Sequence, residues 1–315
     1  MADFDVLVAG EINPDLILSG DVVPAYGQVE RLVETADLTV GSSSAIGACG
    51  MAKLGLRTAF VGVCGEDVFG RFMLEAMRSH GVDTQAVTVL RGQHTGISVI
   101  LNRAGDRATL TYPGCMGALR AEHIDRGLLL RTRHLHVSSY YLQIGLRPGL
   151  PELFQQAQGL GLTTSLDPNW DPAEQWVSVK EVLPYTDVFL PNAAEAGAIA
   201  QVSDVSKAAL GLAKATGTVA VKLGAQGAFG VGPGQSVPVA AFPVKAVDTV
   251  GAGDTFDAGF LYGYLKGWDL EKALRMAVLC GSVSTRAIGG TEGQPDLEEA
   301  LRLLDTWPAR GGAPM

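Results

Sequence analysis

Fourteen consecutive residues carry the most specific chemistry in the chain: Val247-Asp248-Thr249-Val250-Gly251-Ala252-Gly253-Asp254-Thr255-Phe256-Asp257-Ala258-Gly259-Phe260. They follow the apolar, proline-containing segment Val237–Val244 and run into a helical pattern over Phe256–Leu265. Gly251, Ala252 and Gly253 let the backbone turn successive N–H groups toward one point at a helix start, where they attract an anion. Asp254 falls in that same first turn. A carboxylate beside such an anion hole can take a proton from a hydroxyl while the hole holds a phosphoryl group in transit. The plainer reading makes Asp254 a helix-start residue favoured by the dipole. A bare Gly-x-Gly would leave that reading ahead; fourteen residues in this order do not.

The elements needed to position such a site are legible as periodicity. Short apolar runs at Phe4–Ala9, Thr58–Val63, His134–Val137, Thr163–Leu166, Val188–Leu190 and Val219–Leu223 read as buried strands. Helical spacing lies between them at Ala45–Leu54, Phe69–Ser79, Pro151–Leu160, Val205–Ala215 and Leu270–Ala287. This alternation predicts an α/β fold with a mostly parallel central sheet and helices on both faces. Two stretches break the rhythm: Asp15–Ser19 with Arg31–Val40, and Gly96–Leu101 with Arg107–Tyr112, the latter pair joined by a hairpin-type loop at residues 102–106. They predict a small β lid from segments at about 15–40 and 95–112 on a single domain spanning residues 1–315.

The Asp-Thr-x-Gly-Ala-Gly-Asp order at residues 248–254 resembles the C-terminal signature of the ribokinase, or PfkB, family of carbohydrate kinases. The resemblance implies a ribokinase-like three-layer fold, with Asp254 as catalytic base and the Gly251, Ala252 and Gly253 amides as anion hole. Gly10-Glu11-Ile12-Asn13-Pro14-Asp15 follows the first strand, where the family places an Asp that binds substrate hydroxyls. Asp15 and Asn13 carry that role over, and Gly41 and Ser42 stand at the family's sugar-binding Gly-Gly. Asn192-Ala193-Ala194-Glu195 resembles an Asn-x-x-Glu that helps position Mg²⁺ and phosphate, largely through water, in keeping with the hydration that Mg²⁺ retains. Taken alone, the same four residues read as an N-cap with a capping-box Glu.

Val221-Lys222-Leu223-Gly224-Ala225-Gln226-Gly227 resembles the strand and turn beside the nucleotide. Lys222 and Gly224 then become phosphate or ribose contacts and Gly227 a turn glycine; a solvated strand-end lysine is the competing reading. Ala277–Ile288, followed by Gly289-Gly290, resembles the segment lining the adenine pocket. A monovalent cation, K⁺, is implied beside the anion hole, at Asp248, Val250 and the loop after Ser284. The implied cofactors are therefore ATP, Mg²⁺ and K⁺.

Departures fall on the substrate half. Ser42 replaces the second glycine of the family's Gly-Gly, and Ile46 stands where Asn is usual, without hydrogen-bonding capacity. In Asp167-Pro168-Asn169-Trp170-Asp171, Asp171 holds a position where many members carry Arg, which disfavours an anionic group of the substrate there. Tyr140, Tyr141 and Gln143 follow the strand His134–Val137 and either line the pocket or pack the loop. His136 reads as a satisfied core residue.

Composition narrows the field further. Of 315 residues, 47% are hydrophobic, enough for a large core, and Gly contributes 40. A formal charge of −9 gives no footprint for nucleic acid or an anionic membrane. No segment approaches the roughly 20 apolar residues of a membrane span. The N-terminus is acidic where a signal peptide would be basic. Scattered Cys49, Cys64, Cys115 and Cys280 argue against a zinc site or disulfide framework, so a reducing cytoplasm is the expected setting.

The leading expectation is an ATP-dependent kinase acting on an alcohol of a sugar, sugar acid, nucleoside or related polyol. A homodimer through the lid is a further expectation. The competing class is a binding or regulatory protein that keeps the fold without turnover, supported by Ser42 and Ile46 and opposed by Asp254, Glu195 and the glycine loop. A dinucleotide-binding oxidoreductase fails, since the first strand ends without Gly-x-Gly-x-x-Gly.

Overall fold

The computed structural model describes residues 2–103 and 106–308. Its strands, in chain order, are β1 (Val6–Ala9), β2 (Pro14–Ser19), β3 (Thr35–Val40), β4 (Thr58–Val61), β5 (Val63–Gly65), β6 (Thr88–Leu90) and β7 (Ile97–Arg103). There follow β8 (Asp106–Tyr112), β9 (His134–Val137), β10 (Thr163–Leu166), β11 (Val188–Phe189), β12 (Thr218–Lys222), β13 (Ala228–Gly232) and β14 (Gln235–Val239). The helices are α1 (Ser43–Lys53), α2 (Val68–Ser79), α3 (Arg126–Leu130), α4 (Leu150–Gly159) and α5 (Val179–Val182). The later ones are α6 (Ala193–Ala200), α7 (Val205–Leu212), α8 (Ala252–Leu265), α9 (Leu270–Ser284) and α10 (Leu297–Thr306).

Eight strands form the main sheet in the order β14-β13-β12-β11-β10-β9-β1-β4, parallel from β12 through β4 and antiparallel at β13 and β14. Successive residues along a strand enter opposite cores. Val6 and Val8 pack with α1, α8 and α9, whereas Leu7 and Ala9 pack with α4, α6 and α7. Ala220 and its neighbours Val219 and Val221 divide in the same way. A strand apolar at every position is what burial on both faces requires.

Boundaries differ from the sequence expectation where tertiary contacts intervene. The run Thr58–Val63 breaks at Gly62, whose backbone lies so close to Gly10 that a Cβ would sit 2.6 Å from the Gly10 carbonyl oxygen. The chain bends there, and β5 pairs with β6 in a small separate sheet. Helix α9 stops at Ser284, and the next carbonyl, that of Thr285, accepts the N–H groups of Val247 and Asp248. Helix α8 starts at Ala252, earlier than Phe256, because the glycine loop already forms its first turn.

The lid is a four-stranded sheet in the order β3-β2-β7-β8. Residues 104 and 105, at the tip of the loop expected at 102–106, lie outside the described residues; β7 and β8 pair antiparallel on either side. Register sorts the lid into two faces. Asp15 opposes Thr39 and Ser98, and Ser98 opposes Thr111, which places these polar residues together. Leu16 opposes Leu38 and Val99, and Val99 opposes Leu110, which makes the other face apolar. Leu38 and Leu110 on that apolar face are 39% and 62% exposed.

Helices α8 and α9 approach closely because glycines face the contact. A Cβ on Gly259 would lie 2.8 Å from the Met276 carbonyl oxygen, and one on Gly263 would lie 2.8 Å from the Ala273 Cα. Gly259→Ala is therefore expected to destabilise the fold: the gain in helix propensity, about 1 kcal/mol, is smaller than an overpacking cost of roughly 1–3 kcal/mol. Gly211→Ala in α7 meets nothing within 4 Å and should stabilise. Urea midpoints moving in the same direction for both variants would contradict this account.

Candidate active site

The parallel strands end at one edge of the sheet, and the polar residues that follow them converge there, as expected for an open α/β sheet. Glu11, Asn13 and Asp15 follow β1; Ser139 follows β9; Asp167 follows β10; Asn192 follows β11; Lys222 closes β12. They line a cavity of about 640 Å³ with the polar face of the lid and the start of α8. A second cavity, of about 440 Å³, opens among Gly227, Phe242, Val278, Gly281, Ser282 and Thr285. Lys222, Gly224, Thr249 and Gly253 line both.

Asp254 stands in the wall of the larger cavity, 9% exposed. Gly251 opens α8 in the left-handed conformation, φ 71°, and a Cβ there would come within 2.7 Å of the Gly290 Cα and 3.0 Å of Ile46 Cγ2. Only glycine meets both demands. Ile46 thus packs against the anion loop, and it also lines the larger cavity. Gly251 and Gly253 face the larger cavity and Ala252 the smaller one. The Ala252 N–H reaches the Thr249 carbonyl at 3.3 Å, so the loop's remaining first-turn amides are the better anion donors. Burial, then the charge of Asp167, pushes the Asp254 carboxyl up to about 7, against the pull of Lys222 and the Ser43 hydroxyl.

Lys222 is not the solvated strand-end residue of the competing reading. Its side chain is 13% exposed, and Nζ lies 2.7 Å from Asp167 Oδ2 and 2.9 Å from Asp257 Oδ1. Burial alone would discharge it, but Asp167 and Asp257 hold its pKa above the usual lysine value. Burial would likewise raise Asp167, yet Lys222 keeps that carboxylate below its ordinary range. Asp257 is pushed well up, by burial first.

On the substrate side, Asn13 and Asp15 line the cavity, with Asn13 Nδ2 donating to Asp15 Oδ1 at 3.3 Å. Burial pushes Asp15 up to about 7, opposed by the Ser98 hydroxyl and Arg107. Gly41 lies behind this pair, where any Cβ would strike the Asp15 carboxylate. Ser42 lines the cavity, but its hydroxyl is already engaged, donating to the Glu11 carbonyl at 2.7 Å and accepting the Ala45 N–H at 3.0 Å as the cap of α1. Glu11 is the residue that sequence reasoning passed over. Its carboxylate accepts the Ser44 hydroxyl at 2.6 Å and the Ser139 hydroxyl at 2.9 Å, tying three segments together at the cavity.

Asn192 and Glu195 form the reciprocal capping box of α6, with the Asn192 N–H donating to Glu195 Oε2 at 2.8 Å and the Glu195 N–H to Asn192 Oδ1 at 3.0 Å. Both also face the larger cavity. Burial pushes Glu195 up to about 7. Asp248 accepts the Val250 N–H at 3.0 Å and the Gly289 N–H at 2.9 Å, joining the signature to the loop after α9, while Val250 lines the cavity.

Asp171 turns its carboxylate into its own loop. Its carboxylate takes the N–H groups of Ala173, Gln175 and Trp176 at 3.0, 2.9 and 2.7 Å, stapling a loop in which Asn169, Glu174, Trp176 and Ser178 all have positive φ. Its presence therefore says nothing about an anionic substrate. Tyr140, Tyr141 and Gln143 are buried loop-packing residues, and Ser139 and Leu142 take the cavity wall instead. His136 is buried and neutral, its nitrogens 2.7 Å from the hydroxyls of Ser165 and Ser138. All four cysteines are free and buried, and no described helix is long and apolar enough to cross a membrane.

A family model described as pfkB family carbohydrate kinase matches residues 3–297. The chain belongs to that family. A pfkB kinase of this kind has relatives that span its length. A protein described as an uncharacterized sugar kinase, from Archaeoglobus fulgidus, is 31% identical over 252 residues, covering 78% of this chain and 98% of its own. An ATP-dependent ribose-1-phosphate kinase from Halopiger xanaduensis is 30% identical over 301 residues, covering 95% and 97%. A crystal structure described as a putative Ribokinase II from E. coli superposes with a TM-score of 0.87 at 23% identity, over 96% of this chain and 100% of that one. That likeness shows the ribokinase-like fold. This chain is accordingly a kinase with a mostly parallel sheet between two helical layers.

Proposed function

We propose that this pfkB kinase transfers the γ-phosphoryl group of ATP to an alcohol of a sugar, sugar derivative or nucleoside, with Asp254 as general base. The observation that carries the reading is the position of Asp254 in the wall of the larger cavity, next to Gly253, which lines both cavities. The smaller cavity suits the nucleotide: Phe242, Val278 and Gly281 give it apolar walls for a base, and Lys222, Gly224 and Gly227 stand on the phosphate side. The larger one suits the acceptor. Asn13 Oδ1 is buried there without a hydrogen-bond partner among the described residues, and an acceptor hydroxyl would supply the missing donor.

In the reaction, the acceptor oxygen forms a bond to the γ-phosphorus and the bond from phosphorus to the β,γ-bridging oxygen breaks, releasing ADP. The acceptor's proton passes to Asp254, and the amides at the start of α8 hold the negative oxygens. Asn192 and Glu195 fit Mg²⁺ held through water: both side chains line the larger cavity, and a cation there would favour the charged form of the Glu195 carboxylate. Bound there, Mg²⁺ would neutralise phosphate charge. Asp248 and the Val250 carbonyl, with the loop after Ser284, are proposed to hold K⁺. Faster turnover in potassium chloride than in choline chloride is the expected result, and equal rates would remove the site.

Asp254→Asn should lower kcat by roughly 10²–10⁴-fold with ATP affinity retained; a kcat within a few-fold of wild type would overturn the assignment. In the wild type, the base is protonated below its pKa of about 7, so kcat/KM should fall about tenfold per pH unit on the acid side. The folded-state pKa is raised, so the ionised group costs stability increasingly between about pH 4 and 7 and constantly above. Asp254→Asn should hence unfold at or above the wild-type temperature at pH 8.

A homodimer is proposed through the outward face of the lid, where Leu38 and Leu110 leave apolar area exposed. Sedimentation equilibrium should give twice the chain mass for wild type and the single mass for Leu110→Glu. A wild-type monomer would exclude the dimer.

A further inference from the structure

We propose that Asp257 is a positioning residue for phosphoryl transfer: with Asp167 it holds the Lys222 ammonium at the passage between the two cavities, where that charge meets the phosphoryl group in transit. The inference rests on the reading of the two cavities as nucleotide and acceptor sites.

Among the described residues that line both cavities, Lys222 is the one that carries a charge. A group passing from one cavity to the other passes Lys222 and Gly253. These two are adjacent, since a Cβ on Gly253 would stand 3.7 Å from Nζ. The ammonium and the amides of the glycine loop therefore bear on the same space.

A lysine side chain on its own is a mobile point charge on a flexible stem. Here two carboxylates from different elements fix it. Asp167 leaves the end of β10, and Asp257 lies on α8 one turn beyond Asp254, on the same side of the helix. Asp167 and Asp257 side chains are 2% and 1% exposed, so water competes little for either pairing. Oxygens of Asp167, Asp254 and Asp257 gather within 4.8 Å of one another, and the ammonium is what makes that crowding tolerable. Of the three ammonium donors, two are directed at Asp167 and Asp257, and one remains for a phosphate oxygen. A nucleotide in the smaller cavity whose terminal phosphate extended to this position would gain that donor, and one phosphate fewer would forfeit it, so the arrangement should distinguish ATP from ADP.

The experiment combines Lys222→Met, Lys222→Arg, Asp257→Asn and the Lys222→Met/Asp257→Asn double variant, each normalised to its folded fraction by circular dichroism. Lys222→Met should lower kcat by roughly 10²–10³-fold, as for the loss of one stabilising donor, and Lys222→Arg should retain more activity. Asp257→Asn should lower kcat up to about 10²-fold through misplacement, with the acceptor KM within about threefold. Because Asp257 acts through Lys222, the double variant should be no slower than Lys222→Met alone. Calorimetry without acceptor should show the ratio of ADP to ATP dissociation constants collapsing in Lys222→Met and shrinking in Asp257→Asn. Additive losses in the double variant, or an unchanged ADP/ATP ratio in both single variants, would overturn the proposal. Failure of the kinase reading shows differently, as no transfer by wild type to any alcohol, and the nucleotide ratio still decides the role of Lys222.

Discussion

The start of α8 is the constraint from which the rest of the site follows. Gly251 sits where the backbone needs a left-handed φ and where Gly290 and Ile46 leave space for a hydrogen only. Once that turn is fixed, Asp254 and Asp257 project one helical turn apart toward the sheet edge, and Gly259 and Gly263 set how closely α9 can cover the other side. The chemistry and the packing of this helix share one backbone trajectory. Shifting it to relieve a clash at α9 would move Asp254.

The elements were largely legible because a parallel sheet buried on both faces writes continuous apolar runs, as at His134–Val137 and Thr163–Leu166, and these carry no ambiguity of phase. The glycine loop and Asp254 were legible because backbone conformation restricts residue type strongly there. What escaped notice depends on side chains meeting across long sequence distances. Glu11 is adjacent in sequence to Asn13 and Asp15, yet its partners are Ser44 and Ser139, and no local pattern links them. Asp171 gave the wrong impression for the same reason: its role is set by the N–H groups of a loop whose turns are not written in any period. Lys222 was placed correctly at the strand end, but its burial against Asp167 and Asp257 comes from α8 packing over the sheet edge.

Carboxylates dominate this edge, and their ionisation is restrained by burial more than by partners. Asp15, Asp254 and Glu195 are all pushed up to about 7, while the single buried ammonium is already paired. A cation entering such a site would favour the ionised carboxylates. On the proposed reading, this readies Asp254 once the phosphates have arrived.

The lid is not an independent flap. Strand β2 leaves β1 through Gly10–Asn13, so Asp15 belongs both to the wall of the larger cavity and to the lid sheet. Any displacement of β2 away from α8 carries that carboxylate with it. On the proposed reading, grip and enclosure would be a single event, with the hydroxyls of the acceptor as the latch that completes the chamber.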